Sequence, residues 1–279
     1  MNIFKNKLQL FVTVVFLGFL GWWFSFQHVV EAQGRTVQWF GGTYGVVALI
    51  GAVIGFFAAR KFGGFKTVLG KALMFFSIGL LAQEAGQLIL TYYIYGADIQ
   101  IPYPSWGDVA YFGSTICYVL GTFFLAKAVG TKFALRDPKY KIIAVIIPLA
   151  ILGFSYWIFL HNHQYDTSKP LTVLLDVGYP VGDATYISLA VLAFLLSRKM
   201  LGGLMRPAIL ILILGLVAQY ISDFTFLYQS NRGTYLSGKY DDLAYLITYF
   251  ITATAMIKFL SVYSDLRNKP KAASSGEEE

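Results

Sequence analysis

Leu8-Gln9-Leu10-Phe11-Val12-Thr13-Val14-Val15-Phe16-Leu17-Gly18-Phe19-Leu20-Gly21-Trp22-Trp23-Phe24-Ser25-Phe26 runs without one charged side chain, just after Lys5 and Lys7. Wound as a helix at 1.5 Å per residue it would reach about 28 Å, close to the apolar thickness of a bilayer. Seven further stretches of this kind follow, at roughly 38–59, 68–95, 107–129, 141–160, 171–197, 207–228 and 240–263. None alternates with a period of two, and none is as short as a barrel strand, so a closed β architecture is excluded. The reading is an all-α integral membrane protein, an eight-helix transmembrane bundle. Composition agrees, because 57% of the 279 residues are hydrophobic and 13% are charged. Soluble domains carry about 25% charged residues, so a soluble enzyme and a disordered chain are both ruled out. A single cysteine, Cys117, rules out a disulfide scaffold and a cysteine-built metal cage within one chain.

The basic residues give an orientation. With a cytoplasmic N-terminus, the inner side holds Lys5, Lys7, Arg60, Lys61, Lys66, Lys71, Lys127, Lys132, Arg136, Lys139, Lys141, Arg198, Lys199, Arg206, Lys258, Arg267, Lys269 and Lys271, which is 18 of 22. Arg35, Lys169, Arg232 and Lys239 are left outside. This asymmetry is what the positive-inside rule requires, and it supports eight spans independently of hydropathy. Both termini are then expected in the cytoplasm, in the cell (inner) membrane. The net charge of +7 becomes a topological signal. Its partners are anionic lipid headgroups, and no nucleic-acid partner is implied. Lys5 and Lys7 before an apolar run, with Val30-Glu31-Ala32 after it, also fit a cleavable signal peptide. The run is long for that role, and cleavage would leave seven helices. One transmembrane domain is expected over 1–264, with a disordered cytoplasmic tail over 265–279.

The acidic residues are the most informative feature. Of 15, eight fall in or at the outer part of helices: Glu84, Asp108, Asp166, Asp176, Asp183, Asp223, Asp241 and Asp242. A carboxylate at bilayer depth costs several kcal/mol unless it faces protein or a wet cavity, which makes such residues functional candidates. Asp108, Asp183 and Asp242 stand 19, 15 and 16 residues before the next basic residue, hence at one depth in the outer third. Asp183 is the strongest single candidate. A helix beginning at Pro170 would hold it too deep to cap, whereas one restarting at Pro180 would be a broken helix of the kind that lines cavities. Asp108, three residues after Ser105, also fits a capping box, and Asp241 and Asp242 fit a helix start.

Short patterns recur. Gly107-Asp108-Val109-Ala110-Tyr111, Gly182-Asp183-Ala184-Thr185-Tyr186 and Asp241-Asp242-Leu243-Ala244-Tyr245 share one form. Leu80-Leu81-Ala82-Gln83 with Gln87 matches Leu216-Val217-Ala218-Gln219 with Asp223, 136 residues on. Each polar pair is four apart and shares a helix face. The expectation is a parallel internal duplication, the third and fourth helices echoed by the seventh and eighth. Tyr111, Tyr186 and Tyr245 lie one turn deeper than their aspartates. A tyrosine-lined pocket with carboxylates at its mouth suits a small cationic or amphipathic ligand, its sites being Asp183, Asp108, Asp223, Asp242, Gln83, Glu84, Gln87, Gln219, Tyr111, Tyr186 and Tyr245. The plainer alternative is that these groups hold the helices together. Trp22, Trp23, Trp39 and Trp157 read as interfacial belt.

Other chemistry is sparse. His161-x-His163 with Asp166 lacks a fourth metal ligand. No motif calls for a cofactor, no hydrolase or phosphate-binding signature occurs, and no mid-helix lysine suits a Schiff base. Tyr103-Pro104-Ser105-x-x-Asp108, Tyr179-Pro180-x-x-Asp183 and Gly233-Thr234-Tyr235 followed by Asp242 resemble the integral membrane sensory modules that often precede GGDEF diguanylate cyclase domains in bacteria. The likeness covers roughly 78–262. It implies sensing or ligand binding, and it carries over no catalytic residues. No GGDEF or kinase sequence follows Leu260, so an effector would be a separate cytoplasmic protein. Three functions compete: a sensor with an outward pocket, a carboxylate-coupled transporter with Pro180 at a broken helix, and an intramembrane lipid hydrolase using Asp183 and Asp223. The apolar inner half of the helices argues against a wet inward path and favours the first.

Overall fold

The computed structural model describes residues 3–27, 35–99, 101–130, 138–161, 166–197, 204–232 and 234–273. Among these there is no strand, and the α-helices are α1 (Ile3–Phe26), α2 (Arg35–Thr43), α3 (Val46–Lys61), α4 (Val68–Thr91), α5 (Trp106–Ala128), α6 (Pro138–Ser155), α7 (Pro170–Ser197), α8 (Arg206–Asn231) and α9 (Tyr240–Ala273). Eight spans are long and apolar enough to cross a membrane, α2 and α3 joining in the second, Trp39–Lys61. Their limits agree with the hydropathy expectation to within a few residues.

Six helices close a ring. α3 packs on α4, α4 on α5, α5 on α7, α7 on α8, α8 on α9, and α9 returns to α3. α1 leans on α9 from outside, and α6 leans on α7. The two outer spans have 11% of their residues buried, against 39% to 61% for the ring spans, so their apolar surface is free to face lipid. Ring order sets α3 opposite α7, α4 opposite α8, and α5 opposite α9.

At the end of the ring bearing Arg60, Lys127, Arg206 and Lys258, the interior is filled by apolar side chains. Leu73, Phe76, Leu125, Leu212, Met256 and Phe259 are fully buried there. Two hydroxyls at this level, Ser77 and Thr122, donate to carbonyls of their own helices, Leu73 and Tyr118, at 2.7 Å each, so neither needs water. Small residues let the helices approach, the usual basis of packing when lipid competes for apolar contact. A Cβ on Gly79 would stand 2.6 Å from the Tyr118 ring, and one on Gly215 would stand 2.6 Å from the Thr252 hydroxyl. Buried positions also correspond along the chain. Ala72, Leu73, Phe76, Leu80 and Gln83 of α4 are buried, as are Ala208, Ile209, Leu212, Leu216 and Gln219 of α8.

Four details depart from expectation. α7 runs unbroken from Pro170 through Pro180, so the restart at Pro180 is not adopted and Asp183 lies well inside the helix. A proline costs a helix one ladder bond, not its continuity, where neighbouring helices hold both sides. The break falls instead in the second span, at Tyr44 and Gly45. There Gln87 donates its side-chain amide to the Gly41 carbonyl, the group an uninterrupted helix would offer to the Gly45 N–H. α9 continues to Ala273, beyond the 264 boundary, since extending an existing helix needs no new nucleus. Trp23 is buried and donates to the Lys239 carbonyl at 3.2 Å, so it is not a belt residue, while Trp39 and Trp157 are exposed. Residues 28–34, where the cleavage reading falls, lie outside the described residues.

Candidate functional site

At the ring end away from those basic residues lies a cavity of about 550 Å³. Its walls come from α2 and the turn after it, from five of the ring helices, α4, α5, α7, α8 and α9, and from the segments before α5 and α9. Five aspartates line it, Asp108, Asp176, Asp183, Asp223 and Asp242, with eight tyrosines. Among the described residues, no lysine, arginine or histidine does so.

The mouth is laced by tyrosine–aspartate hydrogen bonds. Tyr103 donates to Asp176 Oδ1 at 2.6 Å, Tyr179 to Asp108 Oδ1 at 3.2 Å, and Tyr235 to Asp242 Oδ1 at 3.2 Å. Burial, reinforced by the facing carboxylates, raises the Tyr103 and Tyr235 hydroxyls above the usual phenol range, so both remain donors. Asp108 is also a helix cap. The Ser105 N–H reaches its Oδ2 at 2.7 Å, and its own N–H returns to Ser105 Oγ at 3.3 Å, which completes the capping box. Asp242 receives the Gly238 N–H at 2.6 Å in the first turn of α9. Capping and cavity lining thus coincide at both residues, because the cavity opens where these two helices begin.

Deeper, Asp223 is held by three neutral donors. Tyr186 reaches Oδ2 at 2.9 Å, while Tyr245 and Gln219 reach Oδ1 at 2.9 Å each. On the opposite wall, Gln83 donates to Ser114 Oγ at 2.7 Å and accepts from Tyr249 at 3.2 Å. Gln87 accepts from Tyr111 at 3.0 Å. Tyr44 stacks on Tyr249, with ring centroids 6.2 Å apart, and Tyr249 on Tyr245 at 6.1 Å, forming an aromatic wall between the two polar groups. Asp183 is the exception. It is 3% exposed, lines the cavity, and its Oδ1 has no hydrogen-bond partner.

Asp183, Asp108, Asp223, Asp242, Gln83, Gln87, Tyr111 and Tyr245 therefore share one cavity. Gln219 and Tyr186 stand behind its wall and position Asp223. Glu84 does not line it; the carboxylate is buried against Gly45, where a Cβ would come 2.0 Å from Oε2. Asp166 orders a turn, accepting from the Ser168 N–H and hydroxyl and pairing with Lys169 at 3.4 Å. Its suggested companion His163 is outside the described residues, among which no cluster of metal ligands occurs. Sequence reasoning passed over Tyr44, Tyr249 and Asp176 as lining groups. Tyr249 follows Tyr245 by one turn and was available to the same face argument. Tyr44 had only the glycines around it, Gly41, Gly42 and Gly45, as a signal of the helix break that presents it.

No protein-family model matches the chain, and neither a curated protein nor a solved structure matches it.

Proposed function

We propose that this protein is a multi-pass integral membrane receptor of the sensor type that binds a small organic cation in an outward-facing pocket. One observation carries the reading: five aspartates share a tyrosine-walled cavity with no cationic side chain among its described lining, and one of them, Asp183, has an oxygen with no partner. Carboxylates with no cationic side chain near them in a poorly polarisable site favour a positive partner, and stacked phenol faces add cation–π attraction. The apolar layer beneath the cavity, with Leu73, Phe76, Leu212, Met256 and Phe259 in its core, supports a receptor over a transporter. Signal would pass to a separate effector at the basic loops, as in the sensory modules that the Tyr-Pro and Asp motifs resemble.

The ring is further proposed to descend from a parallel duplication about an axis near the membrane normal. Its supports are the burial of α4 and α8 at matching positions and the paired approaches of Gly79 to Tyr118 and Gly215 to Thr252. The bonds Tyr111 to Gln87 and Tyr245 to Asp223 match as well. The outer helices follow it only in part, since α1 leans on α9 whereas α6 leans on α7 instead of α5.

The test is calorimetry on protein in nanodiscs, with hexylamine, hexanol and hexanoate as probes and empty discs as control. Hexylamine is expected to bind and the other two not. Equal binding of hexanol would reduce the cavity to an apolar niche. Orientation has its own test in intact cells. A cysteine at Lys169 should react with an impermeant maleimide from outside, and one at Lys66 should not. The reverse pattern would invert the topology.

A further inference from the structure

Five of the six seams between neighbouring ring helices carry a glycine set against the next helix. A Cβ on Gly55 of α3 would stand 2.3 Å from Ser77 of α4, and one on Gly79 of α4 2.6 Å from Tyr118 of α5. On Gly182 of α7 it would stand 2.4 Å from Thr115 of α5, on Gly215 of α8 2.6 Å from Thr252 of α9, and on Gly51 of α3 3.3 Å from Ala253 of α9. Among the described residues, no glycine sets α7 against α8 in this way. That seam is tied by Tyr186 to Asp223 at 2.9 Å, and Asp183 stands one turn outward of the tie. There the wall is completed from outside the ring. Phe159 lies on the π-helical turn Tyr156–Leu160 that follows α6, and it lines the cavity although its span is not one of the six ring helices. The turn touches both α7 and α8. The Phe159 ring is 7% exposed and meets Phe224 of α8 edge-on at 4.9 Å. Phe224 stacks in turn on Phe154 at 5.7 Å, and Phe154 is 53% exposed. A side chain of an outer span reaches the cavity only where α7 and α8 stand apart, so a row of phenyl rings marks an apolar passage from cavity to surface.

We propose that this seam is a lateral port, and that the ligand is a single-chain cationic amphiphile, a long-chain primary amine. Its ammonium group sits at Asp183, and its hydrocarbon chain passes between α7 and α8 into the surrounding lipid. This rests on the cation-binding reading above and names the part of the ligand that lies beyond the cavity. The head brings three donors to a buried carboxylate that has an oxygen without a partner. The chain runs past Phe224 and Phe154, so each half of the amphiphile keeps to its own medium. Phe159 is the plug of the empty port. Turning its ring outward costs little, because lipid tails are as apolar as the interior it leaves.

The probe is hexadecylamine carrying a diazirine near its methyl end, irradiated with the protein in nanodiscs and mapped by mass spectrometry. Label is expected on the segments bearing Phe154 and Phe224. Hexylamine at about ten times its own Kd should lower that label about tenfold, the loss of occupancy set by mass action. Asp183→Asn should lower it as well. The matching hexadecanol probe should label the lipid-facing helices without regard to hexylamine. Amine label that hexylamine displaces only from other seams or from the cavity interior would overturn the port and leave cation binding standing. So would label at Phe154 and Phe224 that survives Asp183→Asn, or that hexylamine does not move although calorimetry shows hexylamine bound. No binding of hexylamine by calorimetry would remove both.

Discussion

Asp183→Asn should weaken alkylammonium binding by about a hundredfold, ~2.7 kcal/mol, within the range for deleting one partner of a buried charge pair. The protein should nonetheless insert and fold, with a midpoint of thermal unfolding equal to or above that of wild type. The two halves of this expectation share a cause. Asp183 is 3% exposed and its Oδ1 has no partner within the protein, so the fold gains nothing from its charge. Its neighbour Ala184 and the residues a turn onward, Tyr186, Ile187 and Ser188, are buried and keep α7 in place whichever side chain stands at 183. Calorimetry and a melting curve on the same preparation check the pair. Unchanged affinity with a lowered midpoint would make the aspartate structural.

Asp223→Ala should act in the opposite way. Removing this carboxylate leaves the Tyr186 and Tyr245 hydroxyls and the Gln219 amide without their acceptor at once. Interhelical hydrogen bonds in membranes are worth ~0.6 kcal/mol on average and up to ~1.7. Three lost together, two of them joining α8 to α7 and α9, should cost about 2–4 kcal/mol, allowing for the penalty of buried donors left open. Unfolding in mild denaturant should show this loss. Tyr186→Phe and Tyr245→Phe should each cost about 1 kcal/mol in wild type and almost nothing once Asp223 is gone. Additive effects across that cycle would show that the three donors do not act through this carboxylate.

Much of this arrangement was written in local sequence. Eight apolar runs marked the eight helices long and apolar enough to cross a membrane because hydropathy is summed residue by residue, and the Ser105–Asp108 box is complete within four residues. The cavity wall was partly legible for a related reason. Spacing by four puts Gln83 with Gln87, and Gln219 with Asp223, on one face whatever the helices pack against. What could not be read depends on distant chain. Gly41, Gly42 and Gly45 weaken the helix around Tyr44, but the amide that takes the Gly41 carbonyl belongs to Gln87, 46 residues away. Pro180 gave the opposite error in one reading, since a proline marks a lost hydrogen bond while neighbouring helices decide whether the segment stays straight. Glu84 was grouped with the cavity as an acid in the outer part of a helix, yet its carboxylate lies against Gly45, a partner visible only once α3 and α4 are packed.

The interrupted second span can also be regarded as a jointed rod. α2 carries Gly41 and Gly42 in the cavity wall, and α3 runs on for 16 residues to Arg60 and Lys61. At the joint, the Gln87 amide is wedged on the Gly41 carbonyl, and the Glu84 carboxylate fills the place where a Cβ of Gly45 would stand. A tilt of ~5° at that point swings the far end of a rod ~24 Å long by ~2 Å, a displacement of the size that repacks helix contacts.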